Sequence, residues 1–187
     1  MGHGALQTLL QGHLGLPVQQ LASQRDVRLA LARIILAKRY GVRPTLIDLA
    51  QATGAPDEAR LLIGDKVVCE EPVGFDVQLD LGHAWKELTG LPFVFAVWMA
   101  RRDVPLGDLP ERLARAREQG LANVDAIVKQ HAIPRGWPAG IALQYLTVYL
   151  KYEIGEPQLR AIGLFHDLAA RLGILPHSPR SLRLAGR

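Results

Sequence analysis

The longest apolar stretch of the chain, residues 91–100, carries no charge and shows no alternation of polar and apolar positions. Such a run is too short to cross a membrane, and it is typical of a strand that is covered on both faces by helices. Pro92 cannot donate a backbone hydrogen bond, so it fits only the beginning of such a strand. The pattern therefore predicts a buried strand over residues 93–99, with the other elements packed around it.

The preceding residues predict alternating helices and strands. Apolar positions at three- and four-residue spacing indicate a helix over residues 26–40, which Gly41 ends. Asp80 is placed to cap a second helix over residues 81–89, with Gly90 after it. Short strands are predicted over residues 45–49, 60–64 and 77–79. A short helix is also predicted near the N-terminus, with Leu6, Leu9, Leu10 and Leu14 on one face.

The second half of the chain is predicted to be helical throughout. Its helices are expected over residues 108–119, 123–131, 138–153 and 157–172. The fold class is therefore α/β, with a mixed first half and a helical C-terminal half.

Composition narrows the class of protein. A chain of 187 residues with 49% hydrophobic content suits one ordinary domain or two small lobes. Cys69 is the single cysteine, so no intramolecular disulfide can form, as is usual in a reducing cytoplasm. No segment resembles a signal peptide or a membrane span. We therefore expect a cytoplasmic protein without a membrane partner.

The net charge of +4 suits nucleic acid, a membrane surface or a small anion. The basic residues of the helices over 26–40 and 108–119 lie opposite ordinary apolar faces, and no aromatic stacking motif accompanies them. A solvated surface thus explains them better than nucleic-acid binding. The histidines and Cys69 show no metal-ligand spacing, and no nucleotide-binding loop or nucleophile elbow is found. The residues thus predict neither a metal site nor a nucleotide cofactor.

The turn formed by Thr89, Gly90, Leu91, Pro92 and Phe93 leaves two interpretations open. A small residue and a hydroxyl at the entrance to a buried strand are common where a cleft binds a small molecule. The same residues would also serve simply as the end of one helix and the start of a strand. The residues alone do not decide between them.

Residues 80–98 resemble the signature of the chorismate dehydratase family, which acts in the futalosine route of menaquinone biosynthesis. Residues 61–65, 120–125 and 145–152 fit the same family, and the likeness covers residues 27–175. The resemblance implies loss of water from chorismate to give 3-[(1-carboxyvinyl)oxy]benzoate, with no metal or redox cofactor. It also implies a two-lobed fold like that of periplasmic binding proteins, in which the protein holds a dianion and assists proton removal and hydroxide departure.

The resemblance implies a division of the chain. Residues 24–100 would form the second lobe and a return strand, and residues 101–175 the helical part of the first lobe. Residues 1–23 form a poorly defined segment without a match to the N-terminal part of the family, and residues 176–187 a disordered basic tail. The fold is thus expected to be N-terminally truncated. A homodimer is one expectation, because the helices of the first lobe would lie uncovered.

The resemblance also implies binding residues. Thr89, Gly90, Leu91, Pro92 and Phe93 would line the cleft between the lobes and contact the substrate. At the start of the helix over 26–40, where the family usually places hydroxyl side chains, this chain has Asp26, Val27 and Arg28. Val27 cannot donate a hydrogen bond and Asp26 opposes an anion, for which Arg28 would partly compensate. No residue is assigned as the catalytic base.

Two functions follow as hypotheses. The first is a chorismate dehydratase, whose activity in a chain of this length remains to be tested. The alternative is a non-catalytic relative that binds a ligand or acts as a helical interaction module. Turnover of chorismate separates the two.

Overall fold

The computed structural model describes residues 8–12, 20–23, 27–69, 74–101 and 103–175. They fall into two compact units. The first comprises the described residues within Met1–Phe93 and Glu156–Ser181, and the second those within Val94–Gly155. The mixed α/β class predicted from the pattern is confirmed. The predicted lobe boundaries stay a prediction.

A five-stranded mixed sheet forms the centre of the first unit. Its strands are β1 (Thr8–Gly12), β2 (Gln20–Ser23), β3 (Thr45–Asp48), β4 (Glu58–Ile63) and β5 (Val77–Asp80). They lie in the order β3-β2-β4-β1-β5. Strand β2 pairs in parallel with β3 and β4, whereas β1 pairs antiparallel with β4 and β5. Strand β1 therefore runs opposite to the other four.

The helices of the first unit are α1 (Val27–Tyr40), α2 (Asp65–Val68), α3 (Leu81–Thr89) and, after the second unit, a last helix over Glu156–Arg171. Helix α1 follows β2 and leads to the parallel strand β3, and it packs against α3 and the last helix. Its fully buried side chains include Leu31, Ile34 and Ile35. Burial of these branched side chains is worth about 1.5–3 kcal/mol each and holds the helix in place.

An aromatic cluster closes this core. The Trp85 ring lies edge-on to Phe93 at 5.5 Å between centroids, and Phe165 meets Phe93 at the same separation. Trp85 is fully buried, and Phe165 lies on the last helix. Edge-to-face pairs of this kind add about 0.5–1.5 kcal/mol beyond their buried area. The cluster thus ties α3, the segment after it and the last helix together.

The second unit is helical. It contains α4 (Leu109–Ala122), α5 (Val124–Ile127), α6 (Ala139–Gln144) and two π-helical segments, Val128–Ala132 and Tyr145–Tyr149. A 3-10 turn spans Ile133–Arg135. The last helix, Glu156–Arg171, is α7 in chain order. Of the large apolar side chains described in this unit, Val128 alone is buried. The unit therefore has little hydrophobic core of its own.

Most predicted elements are confirmed within a few residues. Helices α1 and α3 agree closely, as do strands β3, β4 and β5, and the predicted caps of α3 are present. The helices predicted over 123–131 and 138–153 exist, but each changes to π-helical geometry, and the second ends at Tyr149. The tail over residues 176–187 lies outside the described residues.

Two predictions are wrong. Residues 93–99 form no strand, and the exposed fractions of Trp98 and Met99 are 87% and 73%. The described strands pair among themselves, and none of them pairs with residues 93–99. The N-terminal helix is replaced by β1, since Gly12 weakens a helix and the strand gains hydrogen bonds from β4 and β5.

Candidate functional site

The carboxyl ends of four strands meet at one edge of the first unit's sheet. Because β5 and β4 both run opposite to β1, β5 has the same direction as β2, β3 and β4. Ser23, Asp48, Ile63 and Asp80 end these strands, and we name this the carboxyl edge. The next strand in the chain, β3, lies on one side of β2 in the sheet, and the strand after it, β4, lies on the other side, so the strand order reverses at β2. In open sheets, ligands bind outside the carboxyl ends where the strand order reverses.

Two helices start at the carboxyl edge and run side by side away from it. Helix α3 follows β5 directly, and α1 begins shortly after β2. The two helices are in contact, and an ion pair joins Arg39 and Glu87, which lie in the last turn of each. Packed helices are usually about 8–10 Å apart. Their N-termini, each with the partial positive charge of a helix start, therefore face the same edge and favour an anion there.

Asp80 joins β5 to α3 at this edge. One carboxylate oxygen, Oδ1, accepts a hydrogen bond of 2.7 Å from the backbone N–H of His83 and so caps the helix. The other oxygen, Oδ2, is buried and has no hydrogen-bond partner among the described residues. Burial raises the pKa of the Asp80 carboxyl above its ordinary value, although the N–H groups of His83 and Gly82 act against the shift. The group is thus a better proton acceptor than an exposed aspartate.

Sequence reasoning identified Asp80 only as a helix cap. A capping aspartate at the end of a strand gives no sign in the sequence that its second oxygen is buried. The parallel alignment of β5 with β2 and β4, which brings Asp80 to the carboxyl edge, depends on the insertion of β1 between β4 and β5. No helix or strand pattern in the sequence predicts that insertion.

Arg28 lies at the same edge, as the second residue of α1, and its side chain is half-buried. It brings a guanidinium, which suits carboxylate recognition, to an N-terminus that already favours anions. Glu111, by comparison, places an acid in the first turn of α4, whereas α1 has none there. The first turn of α1 as described thus adds no acidic side chain that would repel a carboxylate, although Asp26 precedes it in the sequence.

The other predicted binding residues lie at the far end of α3. The Thr89 hydroxyl donates to the Trp85 carbonyl at 2.8 Å and accepts from the Leu91 N–H at 3.1 Å. Gly90, at φ 72°, donates its N–H to the Lys86 carbonyl and ends the helix. Leu91 and Pro92 are half-buried beyond this turn, and Phe93 joins the aromatic cluster. In this unit the five residues act as a helix cap and part of the core.

Arg28 and the turn at Thr89 are not brought together. Arg28 lies eleven residues before Arg39 on α1, which corresponds to about 16 Å along the helix axis. Arg39 pairs with Glu87, two residues before Thr89. The two parts of the predicted site thus lie at opposite ends of the paired helices. Whether either part binds substrate stays a prediction.

The described residues contain no group of three or more histidine, cysteine, aspartate or glutamate side chains placed to hold a metal ion. Cys69 is exposed. Among the described helices, none is both long and apolar enough to cross a bilayer.

Comparison with known proteins assigns the family. Residues 20–171, from β2 to the end of α7, match the sequence model of a family described as menaquinone biosynthesis. The chain belongs to this menaquinone biosynthesis family. A chorismate dehydratase from Thermus thermophilus is 29% identical to the chain over 181 aligned residues. The alignment covers 85% of the chain and 64% of that relative, so the chain spans less than two thirds of the relative's length.

Proposed function

We propose that the chain binds chorismate at the carboxyl edge and acts in menaquinone biosynthesis as a dehydratase, a hydro-lyase that forms 3-[(1-carboxyvinyl)oxy]benzoate. The observation that carries the proposal is the convergence of the N-termini of α1 and α3, with Arg28, at one edge. Chorismate carries two carboxylates, which such an edge would attract. The family and the name of the Thermus thermophilus relative support this choice of anion.

The reaction removes a proton from the ring carbon that bears the ether, and hydroxide leaves from the neighbouring carbon. Aromatisation of the ring supplies the driving force, so the protein must mainly hold the dianion and accept a proton. In our proposal Arg28 and the α1 N-terminus bind a carboxylate. Asp80 accepts the proton, because burial raises the pKa of its carboxyl and its oxygen Oδ2 makes no hydrogen bond among the described residues.

We further propose that the chain has the two-lobed, periplasmic-binding-protein-like architecture of its family. The division into two compact units supports this, since the chain leaves the sheet-centred unit after Phe93 and returns to it at Glu156. In this arrangement Thr89, Gly90, Leu91, Pro92 and Phe93 would mark the crossing between lobes. The single, exposed Cys69 is consistent with our placement of the reaction in the cytoplasm.

The proposal is tested by measuring chorismate binding and turnover with the purified chain. Arg28→Gln should weaken binding by about tenfold or more, because it removes a charge-assisted contact. Lys38→Gln is the matched control, since Lys38 is an exposed cation at the other end of the same helix. Equal binding by both variants and the unmodified chain would refute a site at the carboxyl edge.

The role of Asp80 has its own test. Asp80→Asn keeps an oxygen to cap α3 but cannot accept a proton at neutral pH. Turnover should fall by about 100-fold or more, with chorismate affinity retained. Unchanged turnover would remove Asp80 from the proton-transfer step.

The second candidate function is ligand binding without catalysis. It is favoured by one observation: the Asp80 oxygen Oδ2 is buried, which restricts its contact with a substrate proton. Chorismate binding that depends on Arg28 but gives no aromatic product would support this function over the enzyme.

A further inference from the structure

A hollow lies in the first unit, away from the carboxyl edge. It is lined by the second half of α1, the connection from α1 to β3 and the residues that follow α7. The lining residues are Arg33, Ala37, Arg43, Pro44, Leu172 and Ile174. Its volume is about 50 Å³. Since one water needs about 10–15 Å³ by this measure, a carboxylate or phosphate group fits.

The charge of the hollow comes from its two arginines. Within the described residues, neither the Arg33 nor the Arg43 guanidinium has an ion pair or hydrogen bond. Arg33 is half-buried, so part of its hydration is lost, and no described residue replaces it with a hydrogen bond. Arg117 gives the contrast, because it is also half-buried and pairs with Glu153 at 2.7 Å. Two guanidiniums that have no partner among the described residues leave a site for an anion at the hollow.

The ends of α1 and α7 near the hollow would repel an anion if their carbonyls were free. Near the end of each helix, one carbonyl accepts a hydrogen bond from the residues that follow the helix. The N–H of Val42 donates to the Leu36 carbonyl at 3.0 Å, and the N–H of Ile174 donates to the Ala169 carbonyl at 2.8 Å. These bonds reduce the repulsion in part, and Arg33 and Arg43 are the charged residues that line the hollow.

We propose that this hollow binds a small oxyanion, with its carboxylate or phosphate group on Arg33 and Arg43. Ala37, Pro44, Leu172 and Ile174 form an apolar floor, which suits an organic anion with a compact hydrocarbon body. The site is distinct from the carboxyl edge, because the hollow includes Arg43 beyond the far end of α1. It is therefore a second anion site.

The test is an NMR titration of the full chain with benzoate and, separately, with inorganic phosphate. We expect shifts at the amides of Ala37, Leu172 and Ile174, with a Kd on the order of 1 mM for at least one anion. Arg33→Gln with Arg43→Gln should raise this Kd by about tenfold. The matched control is Lys86→Gln with Arg160→Gln, which removes two exposed charges from the same unit and should leave the Kd unchanged.

Each outcome has a clear meaning. Binding of benzoate but not phosphate supports an organic carboxylate as the ligand, and the reverse supports a phosphate. Absence of shifts at the lining amides, or the same loss in both double variants, overturns the proposal. If the first double variant fails to fold, Arg43→Gln alone, at an exposed position, must still weaken binding. Arg28→Gln should leave this Kd unchanged, so the result is independent of the proposal for chorismate.

Discussion

The buried carboxylate of Glu58 holds the loop that leads into β4, and its replacement tests the account of this unit's stability. Glu58 is 1% exposed. Its oxygen Oε2 accepts hydrogen bonds from the backbone N–H groups of Thr53, Gly54 and Ala55 at 3.0, 2.7 and 3.0 Å. The Thr53 hydroxyl donates to the same oxygen at 3.1 Å. These bonds satisfy the loop's donors and fix the entry of the central strand.

Glu58→Gln keeps the shape of the side chain but removes its charge. A hydrogen bond to a charged group contributes about 1.5–3 kcal/mol, against about 1 kcal/mol for a neutral one. Since the amide oxygen can still accept from part of the set, we expect a loss of about 2–3 kcal/mol in the free energy of unfolding. That is a large share of the stability of an ordinary domain, which is about 5–15 kcal/mol.

The same contacts predict how the effect depends on pH. Burial raises the pKa of the Glu58 carboxyl, but the hydrogen bonds from Ala55, Gly54 and Thr53 outweigh it, so the pKa lies below its ordinary value. A depressed pKa in the folded state stabilises the protein above the unfolded pKa of about 4.3. This stabilisation is lost as the pH falls through the folded pKa. The difference between the unmodified chain and Glu58→Gln should therefore shrink in acid.

The assay is urea unfolding followed by tryptophan fluorescence, in which the fully buried Trp85 reports on this unit. Asp57→Asn is the matched control, because the neighbouring Asp57 accepts no side-chain hydrogen bond within the described part of the chain. A loss below about 1 kcal/mol for Glu58→Gln, or an equal loss for the control, would refute the argument that the hydrogen-bonded carboxylate stabilises the loop.

Three further predictions concern the aromatic and apolar residues and the end of α3. Phe165→Ala should lower the free energy of unfolding by about 3–5 kcal/mol, because Phe165 is buried. Trp98→Ala should change it by about 0.5 kcal/mol or less, because Trp98 is mostly exposed. Similar losses for the two variants would contradict the assigned burial. Thr89→Val should cost about 1–2 kcal/mol, since two hydrogen bonds at the end of α3 are lost, and an unchanged unfolding midpoint would contradict that cap. The homodimer stays a prediction. Sedimentation should show concentration-dependent association, and replacing the exposed Trp98 and Met99 by serine should weaken that association. A monomer at every concentration would exclude the homodimer.

Local sequence signals predicted the elements better than the way they assemble. The apolar spacing of α1 and the Asp80 and Gly90 caps of α3 depend on neighbouring residues, so they could be found from the sequence. The apolar run after Phe93 could not be placed, because strand formation requires a partner that only the tertiary structure defines. Phe93 itself is held by contacts with side chains far apart in sequence, Trp85 and Phe165. The candidate site could be predicted only in part. The family signature indicates which residues belong to it, but their positions in space depend on contacts between distant parts of the chain.

The positions of those residues restrict the proposed function. Arg28 and Thr89 are separated by the length of the paired helices α1 and α3, which the Arg39–Glu87 ion pair and a shared core hold together. One six-membered ring with two short substituents is too small to bridge about 16 Å within that unit. A chorismate molecule can therefore contact only one of the two within this unit. The carboxyl edge is favoured because its helix N-termini attract anions, whereas the Thr89 hydroxyl already donates to Trp85. Chorismate affinity should consequently fall with Arg28→Gln and persist with Thr89→Val, and the opposite result would move the site to the end of α3.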